Sequence, residues 1–82
     1  MDAVGIEKAL RGQIVEDLFF GDAGVEIASD ADLFELGVDS LGVNRLVVFI
    51  ERRFRVRVGD DEIVADNFRT LGALVALVQR HR

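Results

Sequence analysis

The chain holds two serines, one histidine and no cysteine, so few of its residues can form a covalent bond. Ser29 is a candidate helix cap, whereas Ser40 stands in Asp39-Ser40-Leu41 where a helical pattern begins. A serine nucleophile needs a general base and an oxyanion hole. His81 is next to the last residue, where a solvated tail position is expected rather than a base. Gly37 and Gly42 stand three before and two after Ser40, which is not the spacing of a G-x-S-x-G elbow. No catalytic residue is expected, and the chain is read as a non-enzyme. A calcium loop opening at Asp30-Ala31-Asp32 needs Gly at its sixth position and Glu at its twelfth, but Glu35 and Leu41 stand there. With no cysteine either, no metal site is expected.

The elements that must position Ser40 are helical. Ile6, Leu10, Ile14 and Leu18 recur every fourth residue, the stripe of an amphipathic helix. Gly12 weakens that helix by about 1 kcal/mol relative to alanine, so packing must hold it. Phe19 and Phe20 end it before the turn at Gly21-Asp22-Ala23-Gly24. A long connection runs from 21 to 39, with Val25 and Ile27 as its expected anchors. Within it Ser29 or Asp30 is expected to cap a short turn through Asp32–Leu36, stopped by Gly37. Ser40 is expected as the N-cap of the second helix, with the charge of Asp39 beside it favoured by the helix dipole. Val43, Leu46, Val47, Ile50 and Phe54 make one buried face of that helix. The period-two run Phe54-Arg55-Val56-Arg57-Val58 could be a strand. It has no second strand to pair with, and is read as an extended link. Asp60 or Asp61 is expected to cap a short third helix around Ile63 and Val64, and Thr70 to cap the last, whose stripe is Leu71, Leu74, Val75 and Val78. The expected fold is all-α: a four-helix bundle with a long first loop and a short third helix.

Size and charge set the bounds. Eighty-two residues suit one domain, 1–82, and half of them are hydrophobic. No apolar run is long enough to span a membrane, and the N-terminus lacks the pattern of a secretion signal. A cytoplasmic monomer without membrane contact is expected. The net charge of −5 is unevenly spread. Residues 1–39 hold ten acids against Lys8 and Arg11, a balance of −8. Residues 40–58 hold five arginines against Glu51, a balance of +4. Fields of this kind choose partners rather than folds. An acidic chain with no aromatic platform among its arginines excludes nucleic acid as a partner.

At Leu36-Gly37-Val38-Asp39-Ser40-Leu41 the sequence resembles the acyl carrier protein family, whose attachment motif is Asp-Ser-Leu at the start of the second helix. Leu46, Ile50, Glu51 and Phe54 keep the family's downstream pattern in register with the serine, and Phe34 and Asn67-Phe68-Arg69-Thr70-Leu71 also look like family positions. The resemblance covers essentially the whole chain. It implies that a phosphopantetheinyl transferase moves a 4′-phosphopantetheine arm from coenzyme A onto Ser40, between Asp39 and Leu41. Acyltransferases or ligases then load an acyl group on the arm as a thioester, and synthases use it. A phosphodiester there suits a helix N-terminus, which favours an anion.

The second helix departs from fatty-acid carriers, which are usually acidic there: Arg45, Arg52 and Arg53 leave Glu51 as the only acid. Asn44, four after the serine, replaces a common apolar residue, and Phe49 a small one. With Met1 directly before the first helix, these features look like a free-standing carrier of specialised, polyketide-type metabolism. A peptidyl or aminoacyl carrier of a nonribosomal pathway, a fatty-acid carrier, and an interaction module that has lost its arm are the alternatives. Leu41, Arg45, Val48 and Arg52 share a second face of the helix, expected to bind partner enzymes.

Overall fold

A computed structural model describes residues 2–81; Met1, placed by the sequence directly before the first helix, lies outside them. The elements are α1 (Ala3–Phe19), α2 (Leu33–Leu36), α3 (Ser40–Phe54), a 3-10 turn at Asp60–Glu62, α4 (Ala65–Phe68) and α5 (Leu71–Arg80). Among the described residues there is no strand.

α1 begins where Asp2 accepts the Gly5 N–H at 2.9 Å, satisfying one of the helix's orphan donors. Its stripe of Ile6, Leu10 and Ile14 is buried and Leu18 partly so, against α5 and α3. Gly12 lies on the exposed face, so the packing of the other side holds the helix together. The helix ends at Phe20, whose left-handed backbone (φ 56°) donates its N–H to the Val15 carbonyl.

The connection from 20 to 32 is fastened at two levels. Ile27 is buried and Val25 half-buried. Polar ties do the rest: Arg11 Nε donates to the Ile27 carbonyl at 3.0 Å, and the Ser29 hydroxyl donates to Glu7 at 2.8 Å. The hydrogen bond from Arg11, then that from Ser29, holds the Glu7 carboxyl below its ordinary value. Because Ser29 is engaged with Glu7, neither it nor Asp30 caps α2. Asp32 does, accepting the N–H groups of Phe34 and Glu35 at 2.9 and 3.3 Å. Burial alone would raise the Asp32 carboxyl, but those two N–H groups and Arg69 outweigh it and the net shift is downward. Gly37 stops the helix at φ 124°, a backbone region that side chains disfavour.

α3 buries Leu46, Ile50 and Phe54 as the periodicity requires. Val43 and Val47, expected on the same face, are only half-buried: they flank the core. The segment after α3 is an extended link, with Val58 buried and Val56 partly so. Glu51 accepts the Val58 N–H at 3.0 Å and so ties the link back to α3.

The short third helix is divided in two. Gly59 precedes the 3-10 turn and donates its N–H to Glu62 at 2.9 Å, so neither Asp60 nor Asp61 is the cap. Ile63 and Val64 lie between the turn and α4, which has no side-chain cap and buries Phe68 completely. Asn67 rejoins the two pieces by donating to the Glu62 carbonyl at 2.8 Å. Thr70 caps α5 through the Ala73 N–H at 3.0 Å, and Leu71, Leu74, Leu77 and Val78 are fully buried. His81 is not a free tail residue, because its Nε2 lies 2.8 and 2.9 Å from the two carboxylate oxygens of Glu62. The N–H of Gly59, then His81, holds that carboxyl below its ordinary value.

Candidate attachment site and partner face

Asp39, rather than Ser40, is the N-cap of α3. Its backbone is extended, its Oδ1 accepts the Gly42 N–H at 2.9 Å, and its carbonyl accepts the Val43 N–H at 2.8 Å. Both residue types are good caps, and the aspartate takes the role by standing one place earlier. Ser40 thereby becomes the first helical residue. Its side chain is exposed, and its hydroxyl has no hydrogen-bond partner among the described residues. The N–H groups of Ser40 and Leu41 also lack acceptors there, so the first turn of α3 keeps free donors beside the hydroxyl. Ser29 is the opposite case, its hydroxyl being engaged with Glu7.

Ser40 opens onto a groove of about 530 Å³ between α3 and the α4 region. Val43, Ile63, Val64 and Phe68 make its walls apolar, with Asp39, Ser40 and Asn44 polar at its lip. Leu41 belongs to a different groove, of about 620 Å³, which it lines together with Arg45, Val48 and Arg52. The predicted site residues therefore divide: Asp39 and Ser40 border one hollow, and the whole expected partner face lines the other. Asn44 borders both. The sequence shows Asn44 only as an unusual residue one turn after Ser40; its place on the ridge depends on α4 and α1 closing on either side.

The arrangement suits attachment of a group to the hydroxyl. His81, the one histidine, is engaged with Glu62. Among the described residues no group of acids and histidine could hold a metal ion. No helix there is long and apolar enough to cross a membrane. A free hydroxyl beside unpaired N–H groups at the positive end of a fifteen-residue helix is chemically suited to a phosphate ester. Both serines are exposed, but only the Ser40 hydroxyl is left unengaged among the described residues, which is the arrangement a covalently attached group would require.

Comparison with known proteins agrees. The family described as phosphopantetheine attachment site matches residues 12–78. The D-alanyl carrier protein of Streptococcus sanguinis (strain SK36) is 41% identical over 64 residues, covering 77% of this chain and 78% of that protein. The D-alanyl carrier proteins of Streptococcus gordonii and Streptococcus thermophilus are each 39% identical over the same length. The chain belongs to the acyl carrier protein family, and its prosthetic group is 4′-phosphopantetheine. Proteins of this family receive the arm from a phosphopantetheinyl transferase and carry groups on it for pathway enzymes, and are not themselves catalysts. When bound, the group supplies a terminal thiol whose thioester activates the carbonyl of the cargo.

Proposed function

We propose that Ser40 carries the arm and that the cargo is a small acyl unit, an alanine-sized aminoacyl group being the first candidate. The observation that carries the first half is the free Ser40 hydroxyl beside the unpaired N–H groups of Ser40 and Leu41. In this reading those N–H groups hold the phosphodiester, and Asp39 fixes the turn that aims them. Its Oδ1 is engaged with the Gly42 N–H, which moderates its repulsion of the phosphate. The second half is supported by the named relatives, which are D-alanyl carriers.

Specialised, polyketide-type biosynthesis is the second reading. The feature that favours it is α3 itself, where arginines replace the acids usual in fatty-acid carriers. Intact-protein mass spectrometry of material from the native host separates the two. The aminoacyl reading expects a mass of arm plus amino acid, released by hydroxylamine as expected for a thioester. Release of the hydroxamate of an amine-free unit, such as a malonyl-type one, would instead support the polyketide-type reading.

A further inference from the structure

We infer that the corner where α1 ends is a docking knob: Phe20 enters an apolar pocket of a second protein, whose basic rim meets Glu16, Asp17 and Asp22. The surface is that of α1 and the turn after it, and the inference holds whatever group Ser40 carries. Phe20 is 94% exposed, while every other phenylalanine, its neighbour Phe19 included, is at least partly buried. Among the described residues it stacks on no ring and no guanidinium. Its backbone lies in the left-handed region (φ 56°, ψ 31°), where glycine or asparagine ordinarily ends a helix and a bulky side chain is strained. Neither the core nor the helix stop calls for a phenyl ring there. An aromatic side chain held out in water at a cost in backbone strain suits a role between molecules.

The charge around the ring says what covers it. A helix C-terminus favours cations, yet the last turn of α1 has no basic residue and holds Glu16 and Asp17. Asp22 follows in the turn. None of the three forms an ion pair among the described residues, and Asp17 shares a small hollow with Arg45 without reaching ion-pair distance. The Glu16 carboxylate lies over the turn itself: a β-carbon at Gly21 would meet its Oε2 at 2.8 Å. The corner therefore breaks two local preferences together, with an apolar tip and a set of carboxylates left without counter-charge. That pair of features is complementary to an apolar pocket rimmed by lysine or arginine. Anionic lipid and nucleic acid are repelled by the same carboxylates, which leaves a protein as the partner.

The test places the photo-cross-linking analogue p-benzoylphenylalanine at position 20 of the full-length chain and irradiates it in the native host. The expected product is an adduct with one other protein, and the peptide attached to the ring should hold lysine or arginine beside apolar residues. That protein, purified, should bind the holo carrier. Its affinity should fall about tenfold in Phe20→Asn and again in the variant carrying Glu16→Lys and Asp17→Lys. It should also weaken as salt rises. Asparagine suits the left-handed backbone, so Phe20→Asn should melt at or above the wild-type temperature, and lost binding is then not lost fold. Absence of an adduct, an adduct only with lipid or with a second copy of this chain, or an attached peptide without basic residues overturns the inference. So does affinity that either variant leaves unchanged, and so does a Phe20→Asn protein that melts well below wild type, which would make the ring a part of the fold. Arm attachment is scored separately by the end-point mass of each variant after prolonged incubation with coenzyme A and transferase. A fully armed protein that fails the cross-linking test loses only the docking inference.

Discussion

Asp39 accepts the N–H of Gly42 at 2.9 Å, and through that contact Ser40 is left free as the first residue of α3. Removing a cap of this kind costs about 0.5–2 kcal/mol. Asp39→Ala should therefore lower the urea midpoint, whereas Asp39→Asn should largely preserve it, because an asparagine oxygen can accept the same hydrogen bond. If the alanine variant melts with wild type, the cap does not hold the turn.

Leu46 sits in the middle of the buried face of α3 at 2% exposure. Truncating it should cost about 2–5 kcal/mol. Set against a total stability of about 5–15 kcal/mol, that is a large loss. Chemical denaturation of Leu46→Ala should show it, while Val48→Ala on the exposed face should change stability little.

Glu62 provides the acid dependence of the α4 region. Its carboxyl lies below the ordinary 4.5, first because the Gly59 N–H bonds it and then because His81 does. A depressed folded value means the contribution is present above the unfolded pKa and lost as pH falls through the folded one. The stability gap between wild type and Glu62→Gln should therefore be full near neutrality and close as pH drops below about 4. A gap that widens on acidification would contradict the assignment.

The sequence-level reading succeeds where the determinant is local. Leu46, Ile50 and Phe54 follow the helical period, and Thr70 and Gly37 occupy the ends of their helices as their types dictate. It misplaces the cap of α3 by one residue, since Asp39 and Ser40 are both competent and only backbone geometry chooses between them. It takes the third helix as one piece because the glycine at position 59 has no side chain to mark it as a cap, although Glu62 turns back to it from only three residues on. Contacts made by chain closure are out of its reach: Glu51 to Val58, Asp32 to Arg69 at 3.2 Å, and Glu62 to His81. The two grooves are of the same kind. The face of Leu41, Arg45, Val48 and Arg52 follows from periodicity, but the wall Gln13 adds to it does not.

The measurement that bears most directly on the central claim is the intact mass of wild type and Ser40→Ala after incubation with coenzyme A and a phosphopantetheinyl transferase. Wild type should gain one phosphopantetheine, and peptide mapping should place it on Ser40. Ser40→Ala should keep its helical circular dichroism and gain nothing. Because Ser29 is the only other serine and its hydroxyl is engaged with Glu7, it should remain unmodified in both. An arm found on Ser40→Ala, or mapped to Ser29, would contradict the account.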